Sequence, residues 1–99
     1  MIHEKVQLTK KEADGYVISL GPFNLVSVNT DVGLVGCGAF DVAALDSFNY
    51  PAARVKSTKG GLIATIEDLL VGEVKDANET AIKRGVEMGM SGREALEQM

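Results

Sequence analysis

Apolar positions in the first 37 residues fall into short runs separated by turn-forming residues. Ile2, Val6 and Leu8 stand apart in a polar segment and predict a weakly specified first strand. Lys10-Lys11-Glu12-Ala13-Asp14-Gly15 is expected to turn, because Asp-Gly supplies positive φ readily. Tyr16 to Leu20 is rich in strand formers and ends at Gly21-Pro22. Phe23 to Val28 alternates, with Phe23, Leu25 and Ser27 on one face and Asn24, Val26 and Val28 on the other. Asn29-Thr30-Asp31 reads as a turn and Val32 to Cys37 as a fourth strand. The short links favour an antiparallel meander.

Periodicity then lengthens. Asp41 to Phe48 fits a short helix, ended by Asn49-Tyr50-Pro51, since the residue before proline avoids the helical region. Ala52 to Ser57 reads as a fifth strand and Lys59-Gly60-Gly61 as a turn. Thr65 with Asp68 predicts a capped helix over 65–71, and Ser91-Gly92-Arg93-Glu94 is a capping box that opens a helix over 92–98. Between them, Val74, Ala77, Asn78, Ala81, Gly85 and Val86 repeat every three to four residues and predict a helix over 74–88. The reading is one α+β domain over residues 1–99, with a mostly antiparallel N-terminal β-sheet of four to five strands followed by C-terminal helices. Residues 1–37 are β-rich and form the expected oligomerisation region, 38–64 are mixed, and 65–99 are helical.

Composition narrows the partners. The 99 residues carry a net charge of −4. Residues 1–60 are balanced, so the acidic excess lies wholly in 61–99. With no basic stripe to neutralise phosphates, nucleic acid is not an expected partner, nor is an anionic membrane surface. No run approaches the roughly 20 apolar residues that cross a bilayer. The start, Met1 to Lys5, lacks the apolar stretch of a signal peptide, and Cys37 is the only cysteine. A reducing, cytoplasmic location is the expectation.

Candidate chemistry centres on Gly36-Cys37-Gly38. A thiol between two glycines, just before a helix start, has the setting of an activated nucleophile or an anion-binding turn. The plainer reading of a lone cysteine is a small buried apolar group. His3, the only histidine, lies near a terminus, which disfavours a Cys-His pair. The glycine pair is not a dinucleotide fingerprint, because a third glycine is missing and no parallel βαβ unit is expected after it. Asp41 is either an anion-site neighbour or the cap of the next helix. Arg54 and Arg93 are candidate partners for an anionic ligand, with a surface pair to Glu94 the alternative for Arg93. Asp41 and Asp46 read as solvated acids rather than cation ligands. One Cys and one His do not make a structural zinc site, and no metal is expected. No cofactor is implied.

Three blocks carry a resemblance: Val35-Gly36-Cys37-Gly38-Ala39-Phe40-Asp41-Val42, Thr65-Ile66-Glu67-Asp68-Leu69-Leu70, and Gly89-Met90-Ser91-Gly92-Arg93-Glu94-Ala95-Leu96. In this order they resemble the YunC-like family, also called domain of unknown function 1805. The resemblance runs from about Val6 to the end of the chain, and the Asp46–Pro51 segment is shorter than the family pattern. It implies a bacterial or archaeal protein, no established activity, and an N-terminal β region that acts as a tetramerisation element. The expectation is therefore a cytoplasmic homo-oligomer, tetrameric by resemblance, whose role is assembly or interaction. The alternative is a small-molecule (anionic ligand) binder or enzyme with its site at Gly36-Cys37-Gly38. Apolar groups on both faces of the second and third strands support association. Charges at Val26 and Val28 are expected to break the assembly before they unfold the helices.

Overall fold

The computed structural model describes residues 1–99. Its frame is a six-stranded sheet in sequential order: β1 (Ile2–Gln7), β2 (Glu12–Ser19), β3 (Asn24–Asn29), β4 (Leu34–Gly36), β5 (Ala52–Lys56) and β6 (Glu73–Ala77). Four short helices accompany it: α1 (Val42–Asp46), α2 (Ile66–Val71), α3 (Glu79–Lys83) and α4 (Gly92–Glu97). All strand pairs are antiparallel except β4 with β5. The fold is the expected α+β arrangement, with one strand more than foreseen. No helix is long and apolar enough to cross a membrane.

Register sorts the side chains onto two faces. Val17 lies opposite Val26, Val28 opposite Val35, and Val35 opposite Ala53. This face is the core. α2 packs on β2 and β3, and α4 packs on β4 and β6. Leu69 and Leu96 from these helices join Val26, Val28, Val35 and Val55, all essentially without solvent contact. Each such side chain contributes about 1.5–3 kcal/mol through burial. Val26 and Val28 thus point at the helices, and charge there destroys the core rather than an assembly face. The other face of β1–β3 carries Tyr16, Ile18, Leu25 and Ser27 beside the polar His3, Lys5, Gln7, Glu12 and Asp14, and has no helix over it. On that side the Phe40–Ala43 segment crosses the sheet over Gly36 and Arg54 and leads into α1, which packs on β5.

Three further expectations are corrected. Asp14-Gly15 lies inside β2, and the turn instead spans Leu8 to Lys11, closed by Leu8 N–H donating to the Lys11 carbonyl at 2.8 Å. Tertiary packing accounts for Gly15: a Cβ there would stand 2.8 Å from Ile66 Cδ1, so α2 needs the gap. The segment 74–88 is not one helix. Val74 faces Val55 and Asp76 faces Arg54 across β5–β6, and Asn78 then caps the short α3. Gly85 and Gly89 take φ of 110° and 89°, which end helical structure. The chain folds back along β6: Val74 N–H donates to Met90 O at 2.8 Å, and Gly89 N–H donates to Val74 O at 2.9 Å. That covers the β6 edge and leaves β1 as the open edge strand. Finally, β4–α1–β5 is a parallel βαβ unit, contrary to expectation, with residues 37–51 as its crossover.

The capping signals are realised. Thr65 with Asp68 and Ser91 with Glu94 both form reciprocal capping boxes. Asp41 caps α1, accepting from Ala44 N–H at 3.0 Å.

Candidate functional site

Gly36-Cys37-Gly38 stands where β4 ends, beside the end of its parallel neighbour β5. The carboxyl ends of parallel strands are the usual place for a ligand crevice in α/β sheets. Here a cleft of about 280 Å³ opens. Cys37, Val55 and Ile63 form its apolar floor, and Phe23 and Leu62 stand exposed at its rim. Lys56 and Lys75 supply its charges, and no carboxylate lines it.

Cys37 is 7 % exposed and belongs to the core cluster, so its thiol is a wall of the cleft rather than a projecting group. Its N–H completes the sheet by donating to Val26 O at 3.0 Å. His3 is three strands away in sheet order and is engaged elsewhere: Nε2 lies 2.9 Å from Asp14 Oδ1, and its ring stacks on Tyr16 with centroids 4.7 Å apart. Cys37 therefore has no histidine to serve as its base. Asp14, which also accepts from Lys5 Nζ at 2.7 Å, is held below the usual carboxylate range, first by the Lys5 bond and then by that of His3.

The remaining candidates divide. Gly36 is buried, and a Cβ there would run into the Phe40 ring, so this glycine serves packing. Gly38 lines both the Cys37 cleft and a second depression on the other side of the turn, which holds Asp41 and Arg54. Arg54 is already committed: NH2 donates to Asp76 Oδ2 at 2.7 Å and NH1 to Gly38 O at 3.1 Å. It braces the turn across the β5–β6 pair. Arg93, on α4, donates to Gln7 O at 3.0 Å and lies in a separate depression with Glu4 and Glu67. It does not join the Cys37 site. Glu94 is occupied in its capping box. Asp46 accepts from both the hydroxyl and the N–H of Thr80, at 2.7 and 3.0 Å, and these bonds lower its pKa. It ties α1 to α3.

Lys75, Leu62 and Ile63 were not legible as site residues. Lys75 was hidden by the helical reading of 74–88, which concealed the strand that carries it to the cleft. The loop after β5 holds Leu62 and Ile63, and no local pattern predicts where it folds.

Comparisons with known proteins agree with this architecture. Residues 36–99 match the family model described as "Domain of unknown function (DUF1805)"; the match begins at the end of β4. The chain is 35% identical over 82 residues to the uncharacterized protein YunC of Bacillus subtilis (strain 168), covering 83% of this chain and 80% of that protein. It also superposes on the crystal structure of TA1206, a protein of unknown function from Thermoplasma acidophilum, with a TM-score of 0.85. That likeness covers 98% of this chain and 90% of the other at 21% identity, and it bears on the fold alone. On the family match and the identity to YunC together, the chain belongs to the domain of unknown function 1805, the YunC-like family.

Proposed function

We propose that this protein is a cytoplasmic homo-oligomer with an assembly or interaction role, its subunits joined through the N-terminal strands. One observation carries the reading: the helices cover one face of the sheet and leave the other face of β1–β3 bare. Tyr16, Leu25 and Ser27 are half-buried there and Ile18 is 38 % exposed. Next to them β1 offers an open edge. An apolar patch of Tyr16, Ile18 and Leu25, flanked by the His3–Lys5–Asp14 cluster and joined to a free edge, is what a second copy covers by symmetric pairing. For a domain of this length the added burial offsets a thin core. Four subunits is the count that the family resemblance implies. The unpaired thiol of Cys37 supports a reducing compartment.

Light scattering at micromolar concentration tests this reading. The wild type should be oligomeric, and Ile18→Glu with Leu25→Glu should yield a monomer that keeps its helical circular dichroism. A well-folded wild-type monomer would end the proposal.

A second reading, a small-anion binder at the Gly36-Cys37-Gly38 turn, is favoured by the cleft beside Cys37 and by its lining, which holds two lysines and no carboxylate.

A further inference from the structure

We infer that the Cys37 cleft takes a small monocarboxylate with an apolar body, held by Lys75 and the Gly38–Ala39 backbone. This rests on the ligand-binding reading of the same cleft and gives it a chemical class.

Charge is the first argument. The protein is acidic overall, at −4, yet this cleft has two lysines and no carboxylate in its lining. Lys56 is partnered by Glu73 at 3.4 Å. Lys75 takes part in none of the chain's ion pairs or side-chain hydrogen bonds. Its Nζ nonetheless stays close to the turn, since a Cβ on Gly38 would lie 3.2 Å from it. A glycine at 38 leaves the ammonium room against the backbone.

Free donors are the second argument. The N–H groups of Gly38 and Ala39 donate to no backbone acceptor, whereas Phe40 N–H closes the turn onto Cys37 O at 3.3 Å. One unpaired ammonium with two neutral N–H groups balances a single negative charge. A phosphate dianion would call for more cationic groups, and the only nearby guanidinium, Arg54, is paired with Asp76.

Shape is the third. Asn24 and Ser57 stand with the lysines in the walls, but Cys37, Val55 and Ile63 give the floor no polar side chain to satisfy, so the part of the ligand that meets the floor is apolar. A cavity of about 150 Å³ takes one benzene. The cleft, at about 280 Å³, therefore suits a body of about ten non-hydrogen atoms.

The test is a nitrogen-15 NMR titration of the full chain with 3-phenylpropanoate, with 3-phenylpropanol as its neutral counterpart and with inorganic phosphate. The acid should shift the amides of Cys37, Gly38, Ala39 and Ile63 and bind about five-fold tighter than the alcohol, the weight of one partly exposed charge pair. Lys75→Met should bring the acid down to the alcohol's affinity and leave the alcohol unchanged, and Lys75→Arg should restore the difference. Equal binding of acid and alcohol, or a preference for phosphate, overturns the carboxylate class but leaves a ligand cleft. No shift at these amides with any probe overturns both the inference and the ligand reading beneath it.

Discussion

Asn78 is the residue on which the β4–α1–β5 crossover is hung, and its truncation should be among the most damaging single changes in the chain. It is 6 % exposed and uses both ends of its amide. Oδ1 accepts from Ala81 N–H at 2.9 Å, as the cap of α3, and from Ala52 N–H at 3.2 Å. Nδ2 donates to Val42 O at 3.0 Å and to Tyr50 O at 2.8 Å. Asn78→Ala removes the cap, worth about 1 kcal/mol. It also strands the N–H of the fully buried Ala52, at about 1–3 kcal/mol. Two carbonyls lose a donor, about 0.5 kcal/mol each if water reaches neither. The expected loss is about 3–5 kcal/mol, against a total stability of roughly 5–15 kcal/mol for a domain. Urea denaturation followed by circular dichroism measures it, and the midpoint should fall with the slope unchanged. Asn78→Asp sharpens the test. It keeps both acceptors but sets a carboxylate against the Val42 and Tyr50 carbonyls, which raises its folded-state pKa. That penalty is absent below the unfolded value of about 3.9 and grows as pH rises through the folded pKa. This variant should therefore gain on the wild type as pH falls. A loss below about 1 kcal/mol in the alanine variant would show that the four bonds are replaceable by water, and the reasoning would fail.

Two further outcomes follow from packing and titration. Gly92 sits where α4 meets α2, and a Cβ there would collide with the Leu69 carbonyl. Gly92→Ala should cost about 1–3 kcal/mol and lower Tm by roughly 5–20 °C by scanning calorimetry, and an unchanged Tm would contradict the packing described. Asp46, depressed by Thr80, and Asp68, depressed chiefly by the Ala64 N–H, stabilise the fold above their unfolded pKa of about 3.9 and lose that contribution as pH falls through their folded values. The stability gap between wild type and Asp46→Asn should close over this acid range, and a gap that widens on acidification would refute the assignment.

The sequence by itself determined what short-range chemistry governs. Caps at Asp41, Thr65 and Ser91 place three helix starts because each side chain bonds an N–H three residues away. Alternation set Leu25 and Ser27 opposite Val26 and Val28, since a strand's period depends on no partner. Which of those faces meets the helices was not in the pattern, because both carry apolar groups; α2 and α4 decided it by burying Val26 and Val28. Residues 74–77 were also ambiguous alone. Their spacing fits a helix, but the Arg54–Asp76 pair and Val74 against Val55 draw them into the sheet. Asp14-Gly15 has strong turn chemistry, yet β-pairing to β1 and the approach of Ile66 hold it extended. The candidate site divides in the same way. Cys37 and Gly38 were legible because glycines beside a thiol at a strand end are a local signal. Lys75 was not, because only the pairing of β6 with β5, across a loop and a helix, carries its ammonium to the cleft. Contacts distant in sequence are set by which long-range arrangement buries the most apolar surface, and no window of neighbouring residues encodes that choice.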